Sequence, residues 1–115
     1  MILQDKKTDI FKNRFGGNGD MIAEHYIDEK LLGDRVVLYA KVTLKPGCSL
    51  GYHAHIGTTE TIVVLSGSAE YNDNGIPAVL KAGDVVHCPE GESHAIGNSS
   101  ASTEDLLLQA LILKA

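Results

Sequence analysis

The alternation of residue types in short segments is the feature that most constrains the fold of this chain. In VVLYAKVTL (36–44), Tyr39, Lys41 and Thr43 are each flanked by apolar residues. A period of two places alternate side chains on opposite faces of a β-strand. The sequence KPG at 45–47 then ends the segment. The chain is therefore expected to contain at least one strand with an apolar face that packs against a core.

Other segments repeat this pattern of short apolar runs closed by turn residues. TIVVL (61–65) ends at a Ser-Gly pair, and DVVHCP (84–89) ends at a proline. The Asn-Gly pair of NDNG (72–75) predicts a β-hairpin, because both central residues of the favoured turn need positive φ. LLLQALILK (106–114) also fits a short buried helix, but we interpret it as a strand because the clear elements are all β. The sequence thus predicts an all-β sandwich or barrel.

Length and charge limit the organisation of the protein and its partners. We interpret the 115 residues, 1–115, as a single domain with an N-terminal arm over about 1–35. The net charge is -5 and no basic run is present, so nucleic-acid and membrane partners are not expected. The first residues lack the long apolar stretch of a signal peptide. Two cysteines, Cys48 and Cys88, do not make a disulfide framework, and a cytoplasmic protein with free thiols is the simplest interpretation.

Two closely spaced histidines and a following glutamate are the strongest chemical signal. His53 and His55 would project from the same face of a strand, and Glu60 at the start of the next apolar run can join them. His94 is a fourth candidate. Three imidazoles and a carboxylate suit one divalent transition-metal ion such as Fe, Mn, Zn, Ni or Co. The alternative is that these are solvated or hydrogen-bonded side chains without a metal.

The residues around these candidates follow two patterns that resemble the motifs of the cupin superfamily. The first motif, G(X)5HXH(X)3–4E(X)6G, is matched over 47–67 by Gly47, His53, His55, Glu60 and Gly67. The second motif, G(X)5PXG(X)2H(X)3N, is matched over 83–98 by Gly83, Pro89, Gly91, His94 and Asn98. Every defined position of both motifs is filled at the expected spacing. The chain is therefore similar to small single-domain cupins.

The resemblance implies a double-stranded β-helix, which is a small jelly-roll barrel. It also implies a metal ion inside the barrel, bound by His53, His55, Glu60 and His94. Proteins of this superfamily include dioxygenases, oxalate-degrading enzymes, isomerases, cyclases and lyases as well as binding proteins, and the fold does not choose among them. Asn98 either faces the barrel interior or stabilises a turn, and both interpretations stay open.

Few other residues offer chemistry for a pocket. Tyr71, which follows Ala69 at strand spacing after Gly67, can point inward and offer a hydroxyl, and Tyr39 and Gln109 are polar residues within apolar strands; these three are candidate catalytic residues, and the alternative for each is a place on the outer face or in a dimer contact. Of the remaining histidines, we interpret His25 as a surface residue, while His87 can face either side of its strand. Neither motif contains an arginine, so we expect a strongly anionic substrate to rely on the metal itself.

Three functions fit these observations. The leading hypothesis is a metal-dependent enzyme acting on a small organic molecule, with oxygenase-type chemistry ahead of decarboxylase, isomerase or lyase chemistry. The second is a non-catalytic protein that binds or senses a small molecule with the same metal, and the third is a barrel stabilised by a structural metal. We also expect a homodimer, because the N-terminal arm exceeds what one small barrel needs and a partner's strand would cover a sheet edge.

Overall fold

A computed structural model describes all residues, 1–115, and contains ten strands. The strands are β1 Thr8–Lys12, β2 Asp20–His25, β3 Val36–Leu44, β4 Ser49–Ala54, β5 Thr58–Ser66, β6 Ser68–Asp73, β7 Ile76–Lys81, β8 Val85–Cys88, β9 Ser93–Gly97 and β10 Leu106–Lys114. One 3₁₀ segment, Arg14–Gly16, joins β1 to β2, and one short helix, α1 Glu29–Leu32, lies between β2 and β3. None of the helical segments has the length and apolar character needed to cross a membrane.

The strands form two sheets in which every neighbouring pair is antiparallel. The larger sheet has the order β1-β2-β3-β10-β5-β8, and the smaller sheet has the order β4-β9-β6-β7. Consecutive strands alternate between the sheets at β3 to β4 and β4 to β5, so the chain winds around a shared interior. This arrangement confirms the predicted all-β jelly-roll barrel, a double-stranded β-helix.

The alternating pattern of the sequence sets which side chains fill the core. On β3, Ala40, Val42 and Leu44 are buried while the residues between them are partly exposed. β10 is a strand, as predicted, and its inward residues include Leu106 and Leu108, both with almost no exposed surface. Burying each such leucine stabilises the fold by about 1.5–3 kcal/mol relative to an exposed position. In both strands the buried side chains alternate with partly exposed ones, so each strand has one face toward the core.

The predicted hairpin at NDNG is confirmed as the connection between β6 and β7. Asn74 and Gly75 form its two-residue turn, with φ of 50° and 98°. The side-chain oxygen of Asn72 accepts a hydrogen bond from the backbone N–H of Gly75 at 2.7 Å. Asparagine and glycine tolerate positive φ better than other residues, which explains why this pair marks the turn.

The N-terminal segment is part of the larger sheet rather than a free arm. β1 pairs with β2, and β2 pairs with β3 of the same chain. These two strands of the same chain cover one edge of β3. The connection between them, residues 13–19 (the β1–β2 loop), crosses the smaller sheet at β4, where the Asn18 N–H donates to the Ser49 carbonyl at 3.2 Å.

Asn98 stabilises backbone connections and does not face the histidine cluster. Its side-chain amide donates to the carbonyl oxygens of Leu44, at 2.9 Å, and Glu104, at 2.7 Å. These bonds tie the end of β3 to the loop before β10. Of the two interpretations left open by the sequence, the structural one is therefore correct.

Candidate metal centre

Four residues bring their ligand atoms together inside the barrel. His53 lies on β4, His55 directly follows β4, Glu60 lies on β5 and His94 lies on β9. One nitrogen or oxygen atom from each residue lies within 4.8 Å of the corresponding atoms of the other three. These are the four residues that the sequence predicts as metal ligands.

Strand pairing explains why residues distant in sequence meet at this point. In the antiparallel pair of β4 and β9, His53 lies directly opposite His94. Beyond the end of β4, the backbone N–H of His55 still donates to the carbonyl of Glu92 at 3.0 Å, so this part of the chain stays beside β9. Gly57, with φ of 74°, then allows the turn into β5, on which Glu60 faces inward.

The ligand atoms of three of these residues are in direct contact. The Nε2 atoms of His55 and His94 are 3.0 Å apart. The Glu60 Oε1 atom is 3.2 Å from the first nitrogen and 3.0 Å from the second. All three residues are buried, with at most 6% of their surface exposed, whereas His53 is partly exposed at the open side of the cluster. The cluster therefore has one accessible side.

Each histidine also holds its outer ring nitrogen, Nδ1, in a hydrogen bond. The partners are the Gly51 carbonyl for His53 at 2.7 Å, the Thr58 hydroxyl for His55 at 2.8 Å and the Tyr71 hydroxyl for His94 at 2.8 Å. A carbonyl oxygen can only accept, so Nδ1 of His53 carries the proton and its Nε2 has a free lone pair. Such outer partners orient histidines for metal binding through Nε2.

The burial of the cluster shifts the pKa values of its ionisable groups. Burial lowers the pKa of His53, although the hydrogen bond to the Gly51 carbonyl opposes this effect. For Glu60, burial favours the neutral acid, but hydrogen bonds with His55 and His94 outweigh it and lower the pKa. Glu60 is thus an ionised carboxylate beside imidazoles, which is the charge state needed for a metal ligand.

The donor set fits a divalent transition-metal ion. Three imidazole nitrogens and one carboxylate oxygen form the mixed set that Fe(II), Mn(II), Co(II), Ni(II) and Zn(II) accept. The buried carboxylate has no lysine or arginine within 4 Å to balance its charge. A cation at the centre of the cluster would balance it. The partly exposed side of the cluster leaves room for a further ligand.

The open side of the cluster faces a cavity of about 490 Å³. His53, His55 and Glu60 form part of its wall, and Thr58 lies beside them. Apolar side chains from the N-terminal strands and neighbouring elements form most of the remaining wall, namely Phe11, Phe15, Met21, Val37, Leu38, Leu50, Ile56 and Ile112. The barrel therefore offers a mainly apolar chamber that ends at three of the four candidate ligands.

The sequence analysis missed the polar residues of this wall, which come from the N-terminal segment. The cavity is also lined by Asp9, Arg14 and His25. His25, expected at the surface, is partly exposed, with 24% of its side chain accessible, and its Nε2 is 2.8 Å from an Asp9 oxygen. No spacing in the sequence links these residues to the motifs, because only sheet pairing brings the N-terminal strands to the barrel mouth.

The three candidate catalytic residues lie in different places. Tyr71 is buried, and its hydroxyl is in contact with His94 inside the barrel. Tyr39 and Gln109 lie on the outer face of the larger sheet, in a shallow depression away from the cluster. Their alternation with inward residues places them outside. His87 is also outside, where its Nδ1 lies 2.8 Å from the Thr61 hydroxyl.

Comparisons with known proteins agree with this geometry. A family model described as a cupin domain matches residues 40–108. The chain is 34% identical over 101 residues to an oxalate-binding protein of Thermotoga maritima, covering 88% of this chain and 84% of that protein. A crystal structure described as a predicted oxalate decarboxylase of Thermotoga maritima is 32% identical and has a TM-score of 0.90. The match covers 100% of both chains.

A polyketide cyclase of Streptomyces resistomycificus has a TM-score of 0.76 at 20% identity, over 99% of this chain and 80% of that one, and shows a shared fold only. The family model spans more than half of the chain, including all four residues of the cluster. That match agrees with the two sequence motifs, with the strand order of the barrel and with the buried cluster. This chain is a small cupin, and its cluster of three histidines and one glutamate could hold a metal ion.

Proposed function

We propose that the protein is a metal-dependent enzyme that acts on a small carboxylate, with oxalate as the first compound to test. The observation that carries this proposal is the buried cluster of His53, His55, Glu60 and His94 at the end of a cavity open on one side. A structural metal site is usually closed, whereas a reactive one keeps a position for a further ligand. Support for a carboxylate comes from the relative named as an oxalate-binding protein.

A bound ion would supply Lewis-acid chemistry to a carboxylate and, if it is iron or manganese, redox chemistry as well. The residues of the chain prepare the site. The Gly51 carbonyl holds His53 in the tautomer with a free Nε2, and Thr58 and Tyr71 hold the other two rings. Glu60 contributes negative charge, and the apolar cavity wall limits the access of water.

The Asp9–His25 pair offers the cavity a group that can hold a proton. The His25 Nε2 and Asp9 Oδ2 atoms are 2.8 Å apart, and both residues line the cavity. A hydrogen-bonded imidazole is a suitable general acid or base. Cleavage of the carbon–carbon bond of the hydrogen oxalate ion yields formate and carbon dioxide without a net oxidant, whereas oxygenase-type chemistry would consume dioxygen. The proposal covers both reactions, and one assay distinguishes them by their products and by the consumption of dioxygen.

The second candidate function is binding without turnover. It is favoured by the name of the relative, which records binding of oxalate and no reaction. It also fits the cavity wall, where Asp9 and His25 are bonded to each other and the rest is largely apolar. Both candidates require the metal and the carboxylate, and they differ only in whether a product forms.

The test uses untagged protein, reconstituted with each candidate ion. Elemental analysis gives the metal content, calorimetry gives oxalate binding, and ¹³C NMR with an oxygen electrode detects products. We expect about one metal per chain and oxalate binding in the wild type and in the control His87→Ala, and loss of both in His94→Ala. Product formation supports the enzyme, and binding alone supports the second candidate. A wild-type protein that takes up no ion would contradict both.

We also propose that two chains form a homodimer through the outer face of the larger sheet. Partly exposed apolar residues lie there around Tyr39 and Gln109, including Leu32, Val63 and Leu111. Covering such a face with a second copy removes apolar surface from water. Light scattering is expected to give twice the chain mass of 12.3 kDa.

The two unpaired cysteines support a reducing, cytoplasmic location for this single-domain protein.

A further inference from the structure

We propose that Arg14 recognises a second acid group on the substrate, so that the site selects short dicarboxylates over monocarboxylates. This inference rests on the proposed function, because the first acid group would be held at the metal centre. Arg14 lines the same cavity as His53, His55 and Glu60. The structure thus places a cation where the sequence analysis expected none.

Two aromatic rings hold the Arg14 side chain in place. Its guanidinium carbon is 4.2 Å from the ring centroid of Phe11 and 4.9 Å from that of Phe15. A guanidinium between two aromatic faces is stabilised by cation–π attraction and has fewer accessible rotamers. The side chain is therefore held before a ligand arrives, which reduces the entropy lost on binding.

A continuous stack links Arg14 to the metal centre. The ring of Phe15 lies 4.0 Å from the ring of His53 at an angle of 15°. The guanidinium carbon is therefore at most about 9 Å from the His53 ring, the combined length of the 4.9 Å and 4.0 Å steps. Arg14 and His53 both line this cavity, so a molecule with an acid group at each end can enter it between the two sites.

Arg14 is the only cation of the cavity wall that is free to pair with such a molecule. It has no carboxylate within 4 Å. The acid of the outer cavity wall, Asp9, already contacts His25 at 2.8 Å and Lys7 at 3.7 Å. In a protein with a net charge of -5, an unpaired guanidinium is a local attraction for anions. Its planar fork matches a carboxylate with two parallel hydrogen bonds.

The backbone around Arg14 is held in an unusual conformation. Asn13 and Phe15 have φ of 48° and 55°, a left-handed region that a phenylalanine rarely occupies. The loop is fastened to itself by the Gly19 N–H bond to the Asn13 side chain at 2.9 Å. It is fastened to β4 by the Ser49 N–H bond to the Asn18 carbonyl at 2.8 Å. Such strain persists where the surrounding structure fixes it, as at binding sites.

The test compares four proteins loaded with Mn(II): wild type, Arg14→Met, Arg14→Lys and the control Arg35→Met. Arg35 is the other arginine of the chain and does not line the cavity. Calorimetry measures binding of oxalate and malonate, as dicarboxylates, and of formate and acetate, as monocarboxylates. Metal content and melting temperature establish that each variant is folded and loaded.

We expect Arg14→Met to weaken dicarboxylate binding at least about tenfold and monocarboxylate binding less than about threefold. Arg14→Lys keeps the positive charge but lacks the planar guanidinium fork, so its affinity for dicarboxylates is expected to lie between those of the wild type and Arg14→Met. Arg35→Met is expected to bind both ligand classes as the wild type does. Equal weakening for both ligand classes, or unchanged dicarboxylate binding in Arg14→Met, would overturn this inference and leave the proposed function standing. A loaded wild type that binds no carboxylate would overturn the proposed function as well.

Discussion

Replacement of Tyr71 by phenylalanine is expected to weaken metal binding without unfolding the protein. Tyr71 is 4% exposed, and its hydroxyl lies 2.8 Å from Nδ1 of His94. For His94 to bind a metal through Nε2, its Nδ1 must carry the ring proton and donate to the oxygen of Tyr71. The phenylalanine ring occupies the same space, so the substitution removes one oxygen atom and leaves this N–H without its partner.

The magnitude follows from that single lost hydrogen bond. Losing an outer partner of a ligating histidine typically weakens metal binding about 10–100-fold. This corresponds to about 1.4–2.8 kcal/mol. A buried polar group left without a partner costs about 1–3 kcal/mol, which agrees with that range. We therefore expect the dissociation constant of Zn(II) to rise by at least tenfold.

The assay is competition for Zn(II) against a chelating dye, and the matched control is Tyr39→Phe. Tyr39 loses the same atom, but it lies on the outer face of the larger sheet against Tyr26, with ring centroids 4.8 Å apart. Its variant is expected to bind Zn(II) within about twofold of the wild type. If the Tyr71 variant does the same while its circular dichroism is unchanged, the hydroxyl does not orient His94 and the reasoning is refuted. Equal losses in both variants would also contradict it.

Three further experiments test the packing and the thiols. Leu108→Ala is expected to lower the free energy of unfolding in urea by about 2–5 kcal/mol, and Leu107→Ala on the partly exposed face by less; equal losses would contradict the assigned faces. Gly51→Ala is expected to lower the free energy of unfolding by about 1–3 kcal/mol, because a Cβ at this position would overlap the Phe15 carbonyl. An unchanged melting temperature would disprove that contact. Brief alkylation is expected to label Cys48 before Cys88, since burial raises the pKa of the Cys88 thiol. Peptide mass spectrometry reports the order of labelling, and the reverse order would contradict the burial of Cys88.

Local pattern was enough to predict several of the strands and to group two of the candidate ligands. β3 follows a period of two, so its residues could be divided between two faces before the structure was known, and β10 was interpreted as a strand because the clear elements are all β. The turn at Asn74 and Gly75 depends only on which residues tolerate positive φ. His53 and His55 could be grouped because alternate residues of a strand share a face. Each of these features depends on neighbours within a few positions.

The same reasoning could not separate Tyr71 from Tyr39 and Gln109. Each lies within a strand whose side chains alternate between two faces, and alternation does not say which of the two faces is the inner one. The sheets decided this, because the buried residues Ala40, Leu108 and Ala110 next to Tyr39 and Gln109 face the core, which places Tyr39 and Gln109 on the outer face. Tyr71 instead lies on β6, whose inward face borders His94.

The sequence by itself indicated several strands of the barrel, the hairpin turn and the four ligand candidates, since periodicity, turn preference and motif spacing act over short stretches of chain. Only the tertiary structure decided what surrounds them. Phe15 meets His53, Arg14 faces the cavity and Asp9 pairs with His25 because β1 and β2 extend the larger sheet and carry their loop across β4. Contacts between segments more than ten residues apart depend on how the sheets pack and curve, and no local pattern encodes that geometry.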